Sequence, residues 1–426
     1  MSHSHPLLDE LQWRGLLAQH TDGLAAHLAS GPVTAYCGFD PTAPSLHVGN
    51  LVPVMGLVHL QRAGHRPIAL VGGFTGMIGD PSGKSAERAL QSLDVIEENA
   101  RSIGAQLERF FDFSGPAAAR MANNVDWLGP VSLLDFLRTT GKHFTVNYML
   151  AKDSVKSRLE AGISYTEFTY MLLQAHDFAE LHRRHGVTLQ VGGSDQWGNM
   201  TAGLELIRRT AGAESHVLTF PLVTTASGQK FGKSEAGAVY LDAARTSPYK
   251  FYQFWLGADD RDVGRWLRFF TFFSRDEITA LDEATEARPE AREAQRALAA
   301  DMTTRVHGSD LLRTVEAISQ VLFGKGDPRE LAEETLAAMA GEVPFAELDA
   351  PADGAGVDAL DLVVATGLAK SRGDAKRLVE QGGVAVNGRK VNMADRVLAS
   401  DSWLAGRHLL VKKGSRDWGL VRVRQG

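Results

Sequence analysis

Three runs in the first half of the chain constrain its fold most: VTAYCGFD (33–40), RPIALVGGF (66–74) and VTLQVGGSD (187–195). Each is rich in β-branched, aliphatic or aromatic residues, is short for a globular helix, and breaks into a Gly- or Asp-bearing loop, so each reads as a buried strand. Helical patterns separate them from about residue 33 to 225, and strands alternating with helices assemble into a parallel sheet. Ligands of such sheets sit where the carboxyl ends of the strands open into loops, so the three loops are candidates for one shared site.

After about residue 245 the strand signals stop. KFYQFWLGADDRDVGRWLRFFTFFS and EAREAQRALAADMTTRVHG read as helices, which predicts an α/β domain over 1–245 and a helical domain over 246–340. Trp266, Phe269, Phe270 and Phe273 recur at helical spacing and are expected in its core. Residues 341–356, rich in Pro, Gly, Ala and Asp, read as a linker. Beyond it, 357–426 gives two short helices, a Gly382-Gly383 stop, and a strand turning at Asn387-Gly388, the preferred type I′ hairpin pair. Ser371, with Asp374 three residues on, marks a helix start.

A chain of 426 residues, 44% hydrophobic and 23% charged, has room for two or three globular domains. Its net charge of −6 argues weakly against a nucleic-acid partner, but the distribution argues otherwise. Residues 368–426 carry 13 Lys/Arg against 5 Asp/Glu, +8, which leaves −14 for everything before them. On charge alone the tail is either a polyanion-binding module or a solvated basic surface. Arg372, Lys376, Arg377, Arg389 and Lys390 are its candidate contacts. Cys37 is the sole cysteine, so a disulfide framework and a cysteine zinc site are excluded and a reducing compartment fits. No run approaches the roughly 20 apolar residues of a membrane span, and the start MSHSHPLLDE lacks a signal core, so a cytoplasmic chain is expected.

Four segments carry chemistry. In YCGFDPTAPSLHVGNL (36–51) a strand end leads through a turn-rich loop to a helix start, where free N–H groups and the helix dipole favour phosphates. Gly49 lets a flat purine approach the backbone, and Pro53 fits a first helical turn. KFGKS (230–234) places two lysines three apart among small residues; it is either a solvated basic loop or a lid that neutralises a leaving pyrophosphate. Tyr170, Gln174 and Asp177 fall on one face of an otherwise apolar helix, and such a polar stripe is costly to bury without a polar ligand. In GGSDQWGN (192–199), Asp195 either caps a helix or meets a ribose diol. Neither GDPSGKS (79–85) nor GQKFGKS (228–234) is a P-loop, which needs four residues between its glycines where these have three.

Together, in this order, the segments resemble the bacterial-type tyrosyl-tRNA synthetases of the class I superfamily, from residue 33 to the C-terminus. HVGN resembles the family's HIGH element with Asn50 in place of the last histidine, KFGKS resembles KMSKS, and the C-terminal module resembles an S4 RNA-binding domain. The resemblance implies a Rossmann-like parallel-sheet catalytic domain followed by the helical and S4-like domains. It implies that Tyr36 and Asp177 meet the tyrosine phenol, that Tyr170, Gln174 and Asp80 hold its ammonium, and that Gln196 approaches its carboxyl group. Gly38, Asp40, Gly49 and Asp195 are then expected around adenosine, and Thr42, His47, Asn50, Lys230, Lys233 and Ser234 around the phosphates. His176, on another face of the helix, has no expected role.

The implied reaction is attack of the tyrosine carboxylate on the α-phosphate of ATP, then transfer of tyrosine to the terminal adenosine of tRNA(Tyr). Mg²⁺ is expected with the ATP, no protein metal site and no zinc are expected, and an insertion over about 120–165 is expected to join two copies into a homodimer. A tryptophanyl relative is disfavoured by Tyr36, Asp177 and the S4-like module. A non-enzymatic RNA-binding derivative is disfavoured by the intact motifs.

Overall fold

The computed structural model describes residues 5–82, 91–152, 155–156, 159, 162–234, 237–351 and 356–424, with the backbone alone for Lys233 and Ser234. The chain forms two compact units, one of residues 1–247 and 254–306, the other of 248–253 and 307–426.

The first unit is built on a six-stranded sheet of β1 (Gln19–His20), β2 (Thr34–Phe39), β3 (Arg66–Val71), β4 (Arg120–Asn123), β5 (Val187–Gly193) and β6 (His216–Phe220), ordered β1-β6-β5-β2-β3-β4. β6 through β4 run parallel and β1 pairs antiparallel at the edge. The three expected strands are therefore neighbours at the centre, with Tyr36 opposite Ile68 on one side and Gln190 on the other. From β2 the chain proceeds outward through β3 and β4, then returns on the opposite side of β2 as β5 and β6. That reversal makes the carboxyl ends of β2 and β5 a topological switch point, where a crevice opens.

Helices seal the sheet. Leu51–Arg62 buries Leu51, Val54, Met55, Leu57 and Leu60, and carries Pro53 in its first turn, where no N–H is missed. It lies close on β6 because position 56 is glycine: a Cβ there would stand 1.9 Å from Phe220 Cζ. Tyr165–His185 starts at a Ser164 cap and packs Phe178 and Leu181 with Tyr36, Met200 and Leu206 in one cluster.

The helical region divides differently from the expected 246–340 boundary. Helix Asp260–Phe270 joins the first unit, and three of the four expected stripe residues, Trp266, Phe269 and Phe270, are buried core, whereas Phe273 lies beyond the helix end and is only half-buried. Buried Arg14 ties its end down by donating to the carbonyls of Arg268, Thr271 and Phe273 at 3.1, 2.9 and 2.8 Å. Ile318, Val321, Leu336 and Met339 instead share a cluster with Leu404, Leu410, Trp418 and Leu420 of the second unit.

The stretch read as a linker also contains structure. Phe345–Asp349 is a strand paired in parallel with Asp417–Arg424, at the edge of a five-stranded sheet; residues 352–355 of that stretch lie outside the described residues. The hairpin at Asn387-Gly388 forms with φ of +50° and +80°, and Ser371 caps helix Arg372–Glu380 by accepting the Asp374 N–H at 3.2 Å.

Candidate active site

A cavity of about 540 Å³ opens at the switch point of the first unit. Tyr36, Gly38, Asp40, Thr42, His47, Gly49, Asn50, Asp80, Tyr170, Gln174, Asp177, Asp195, Gln196 and Lys230 all line it. Residues that the sequence scatters over nearly two hundred positions thus meet around one space. The Lys233 and Ser234 side chains lie outside the described residues, as do positions 83–85 of GDPSGKS.

On the inner helix, Tyr170, Gln174 and Asp177 share the cavity face, while His176 turns away to Thr140, 2.8 Å from its hydroxyl. Asp177 is 3% exposed and accepts two hydrogen bonds, from Asn124 Nδ2 to Oδ2 at 2.9 Å and from Trp127 Nε1 to Oδ1 at 2.7 Å. Burial pushes its carboxyl up to about 7; those donors hold it from rising further. Burial, then the Asp177 charge, raises the Tyr36 phenol well above its ordinary value, and its hydroxyl has no hydrogen-bond partner among the described residues. Gln190 Oε1, one strand over, is likewise buried and unpaired among them.

A hydrogen-bonded chain continues from Asp177. Asn124 also donates to Thr75 Oγ1 at 2.9 Å, Thr75 donates to Asp40 Oδ1 at 2.7 Å, and the Tyr170 hydroxyl donates to Asp40 Oδ2 at 2.7 Å. Gly72 makes room for it, since a Cβ there would sit 2.1 Å from Asp40 Oδ1. Asp80, raised by burial, accepts the Ser82 N–H at 2.9 Å and Gln196 Nε2 at 2.6 Å. Asp195 is exposed and does not cap the following helix.

In HVGN the ends lock together. Gly49 N–H donates to His47 Nδ1 and His47 N–H donates to Asn50 Oδ1, both at 3.0 Å. Glycine at 49 has a steric reason as well, because a Cβ would meet the His47 ring at 2.8 Å. KFGKS lies directly against this motif. Gly232, at φ +81°, sits where a Cβ would be 2.8 Å from Val48 Cγ2 and 3.2 Å from the Gly49 nitrogen. Val239 ties both by donating to Gly232 O at 3.0 Å and accepting from Val48 at 2.9 Å.

Residues 28–324 match the model of class I tRNA synthetases (W and Y), and residues 336–421 match the C-terminal domain model of tyrosine–tRNA ligases. Tyrosine–tRNA ligase of Anaeromyxobacter dehalogenans is 54% identical over 418 residues, covering 98% of this chain and 99% of that protein. The chain belongs to the tyrosine–tRNA ligase family. Another member, from Nocardia farcinica, is 55% identical over 429 residues, covering 98% of this chain and 99% of that protein. A C-terminally truncated mitochondrial tyrosyl-tRNA synthetase of Aspergillus nidulans matches in structure with a TM-score of 0.68 and 31% identity, over 74% of this chain and 94% of that one.

Asn124, Trp127 and Thr75 escaped the reading of the sequence. In this ligase family member they stand beside β3 and β4, 35 to 53 positions from the groups they brace, and no local spacing marks them. The one available signal was NNVDW itself, two amides and an indole following a short strand.

The five basic candidates lie in the second unit. Arg372 is bridged to Asp358 at 2.7 Å and also to Asp361, while Lys376 and Arg377 have only looser acidic neighbours, Glu380 at 3.8 Å and Asp374 at 3.5 Å. Arg389 and Lys390 are exposed on the hairpin strand.

Proposed function

We propose that this chain activates L-tyrosine with ATP, giving tyrosyl-adenylate and pyrophosphate, and then transfers the tyrosyl group to the 3′-terminal adenosine of tRNA(Tyr). The observation that carries this reading is the buried Asp177 carboxylate, held by two donors beside a Tyr36 hydroxyl that has no partner among the described residues, in a cavity that reaches HVGN and Lys230. A phenol satisfies that pair, donating to Asp177 and accepting from Tyr36. Phenylalanine would leave both buried groups without a ligand partner, which is the costly case.

The remaining groups divide by charge. Asp80, with the Tyr170 oxygen and Gln174, offers acceptors to the substrate ammonium, and Gln196, already fixed on Asp80, borders the carboxylate. Gly38, Asp40, Gly49 and Asp195 receive adenosine. Thr42, His47, Asn50, Lys230, Lys233 and Ser234 surround the phosphates. In-line attack of a carboxylate on the α-phosphate then needs no protein nucleophile, only positioning and neutralisation of the charge that builds on pyrophosphate. Mg²⁺ enters as part of the nucleotide substrate; among the described residues no group of three or more His, Cys, Asp or Glu could hold a metal.

The basic segment 368–426 binds the tRNA through Lys376, Arg377, Arg389 and Lys390, with Arg372 braced by its two aspartates. The functional unit is a homodimer, a reading supported by exposed Leu133, Leu134, Leu137 and Val146, which leave an apolar patch within residues 120–165. The cytoplasm is the proposed location, and no described helix is long and apolar enough to cross a membrane. Amino-acid-dependent ATP/pyrophosphate exchange across the twenty amino acids tests the reading. Exchange with tyrosine alone is expected, whereas exchange driven by tryptophan, or none, refutes it.

A further inference from the structure

The segment Val223–Gly232 brings Lys230 to the cavity, and its shape is fixed from outside. The turn closes on itself: Thr225 N–H donates to Gln229 O at 2.9 Å, Gly228 N–H to Thr225 O at 2.8 Å, and Thr224 bridges Lys230. Helix Asp260–Phe270 then grips it at two points. At the first, the Asp262 carboxylate, 3% exposed, accepts the Ala226 N–H through both oxygens, at 2.8 and 3.1 Å. Arg265 joins Asp262 at 3.0 Å and donates to the Thr224 carbonyl. At the second, the buried Phe231 ring stacks on Phe270, centroids 5.0 Å apart at 14°, and meets Trp266 edge-on at 4.9 Å and 73°.

Neither grip has a role in the chemistry described above. A buried carboxylate spent on a loop N–H is costly to desolvate and holds firmly only while that partner stays in place. The two grips bracket Lys230, four residues after Ala226 and immediately before Phe231. Beyond Phe231 comes Gly232, in contact range of Val48 and Gly49. One helix therefore sets both where Lys230 stands and how closely KFGKS approaches HVGN.

We propose that Asp262 and Phe231 are positioning residues for tyrosine activation, acting through Lys230 by holding it where charge on the leaving pyrophosphate is neutralised. This rests on the reading of KFGKS as a phosphate-binding segment.

The test compares Asp262→Ala, Phe231→Ala, Phe231→Leu, Lys230→Ala and the Asp262→Ala/Lys230→Ala double variant in the full chain. Three quantities are measured: single-turnover adenylate formation, the tyrosine dissociation constant, and transfer of tyrosine from preformed adenylate to tRNA. Asp262→Ala and Phe231→Ala are expected to slow adenylate formation by about tenfold to a hundredfold, the scale of a misplaced catalytic group. Tyrosine affinity and the transfer step should stay unchanged, Phe231→Leu should restore part of the rate, and Asp262→Ala should cost little more once Lys230 is gone. A parallel fall in all three quantities with thermal stability would mean a merely structural role and would overturn the proposal. If Lys230→Ala slows activation while Asp262→Ala and Phe231→Ala leave it intact, positioning alone is refuted. If Lys230→Ala itself has no effect, the phosphate-binding reading fails and takes the proposal with it.

Discussion

Replacing Trp127 by phenylalanine removes the Nε1–H that reaches Asp177 Oδ1 at 2.7 Å, yet leaves an aromatic ring in a buried site. A hydrogen bond to a charged group contributes about 1.5–3 kcal/mol, and one pKa unit corresponds to ~1.4 kcal/mol, so Asp177 should rise by about one to two units. It starts at about 7. At pH 7.5 the parent carboxyl is then mostly ionised and that of the variant mostly protonated, a drop of about tenfold in the accepting form. Tyrosine-dependent kcat/KM should fall by about the same factor and recover toward pH 9 as the carboxylate returns. Phenylalanine has no hydroxyl to offer, so its residual activation should change little and discrimination should narrow. Pyrophosphate exchange with each amino acid, from pH 6 to 9.5, reads both effects. An acid limb at the same pH in parent and variant would refute the reasoning, because the Trp127 donor would then not be holding Asp177 down.

His59 is held at about 3 by burial and by the Arg14 charge, so the folded state keeps it neutral; its stability contribution is present above its ordinary 6.5 and is lost as pH falls toward 3. His59→Leu should spare the protein about 2 kcal/mol of that acid loss at pH 5, measured by urea unfolding at pH 5 and 7.5. Gly56→Ala drives a methyl into Phe220 and should destabilise the first unit by about 3 kcal/mol or more, read as a lowered urea midpoint. Replacing Lys376, Arg377 and Lys390 together with alanine should weaken tRNA binding and flatten its salt dependence while tyrosine-dependent exchange persists. Arg372→Ala, which breaks contacts to Asp358 and Asp361, should instead lower thermal stability.

What was legible in the sequence followed from periodicity and glycine. The runs at 33–40, 66–74 and 187–195 became β2, β3 and β5 because a strand buried on both faces leaves a dense apolar signature. The Tyr170, Gln174 and Asp177 stripe became one wall of the cavity because a helix fixes the faces of residues four and three apart. The strand Phe345–Asp349 was hidden, since FAELD beside Pro and Gly carries little β signal and its partner lies about 75 residues away. Asn124 and Trp127 were hidden for the same reason: their meaning is a contact with Asp177, and a contact leaves no local period.

Because His47 and Asn50 close on each other through backbone N–H groups, the wording of this motif is governed partly by its own syntax. An imidazole that accepts at Nδ1 carries its hydrogen on Nε2, so the Gly49 N–H selects the tautomer before any nucleotide arrives. Position 50, in turn, must supply an oxygen to the His47 N–H, a demand that aspartate or serine can meet and leucine cannot. A library randomised at position 50 should therefore sort first by capping ability and only within that class by affinity for ATP, so that the spelling of HVGN is in part a spelling of a turn.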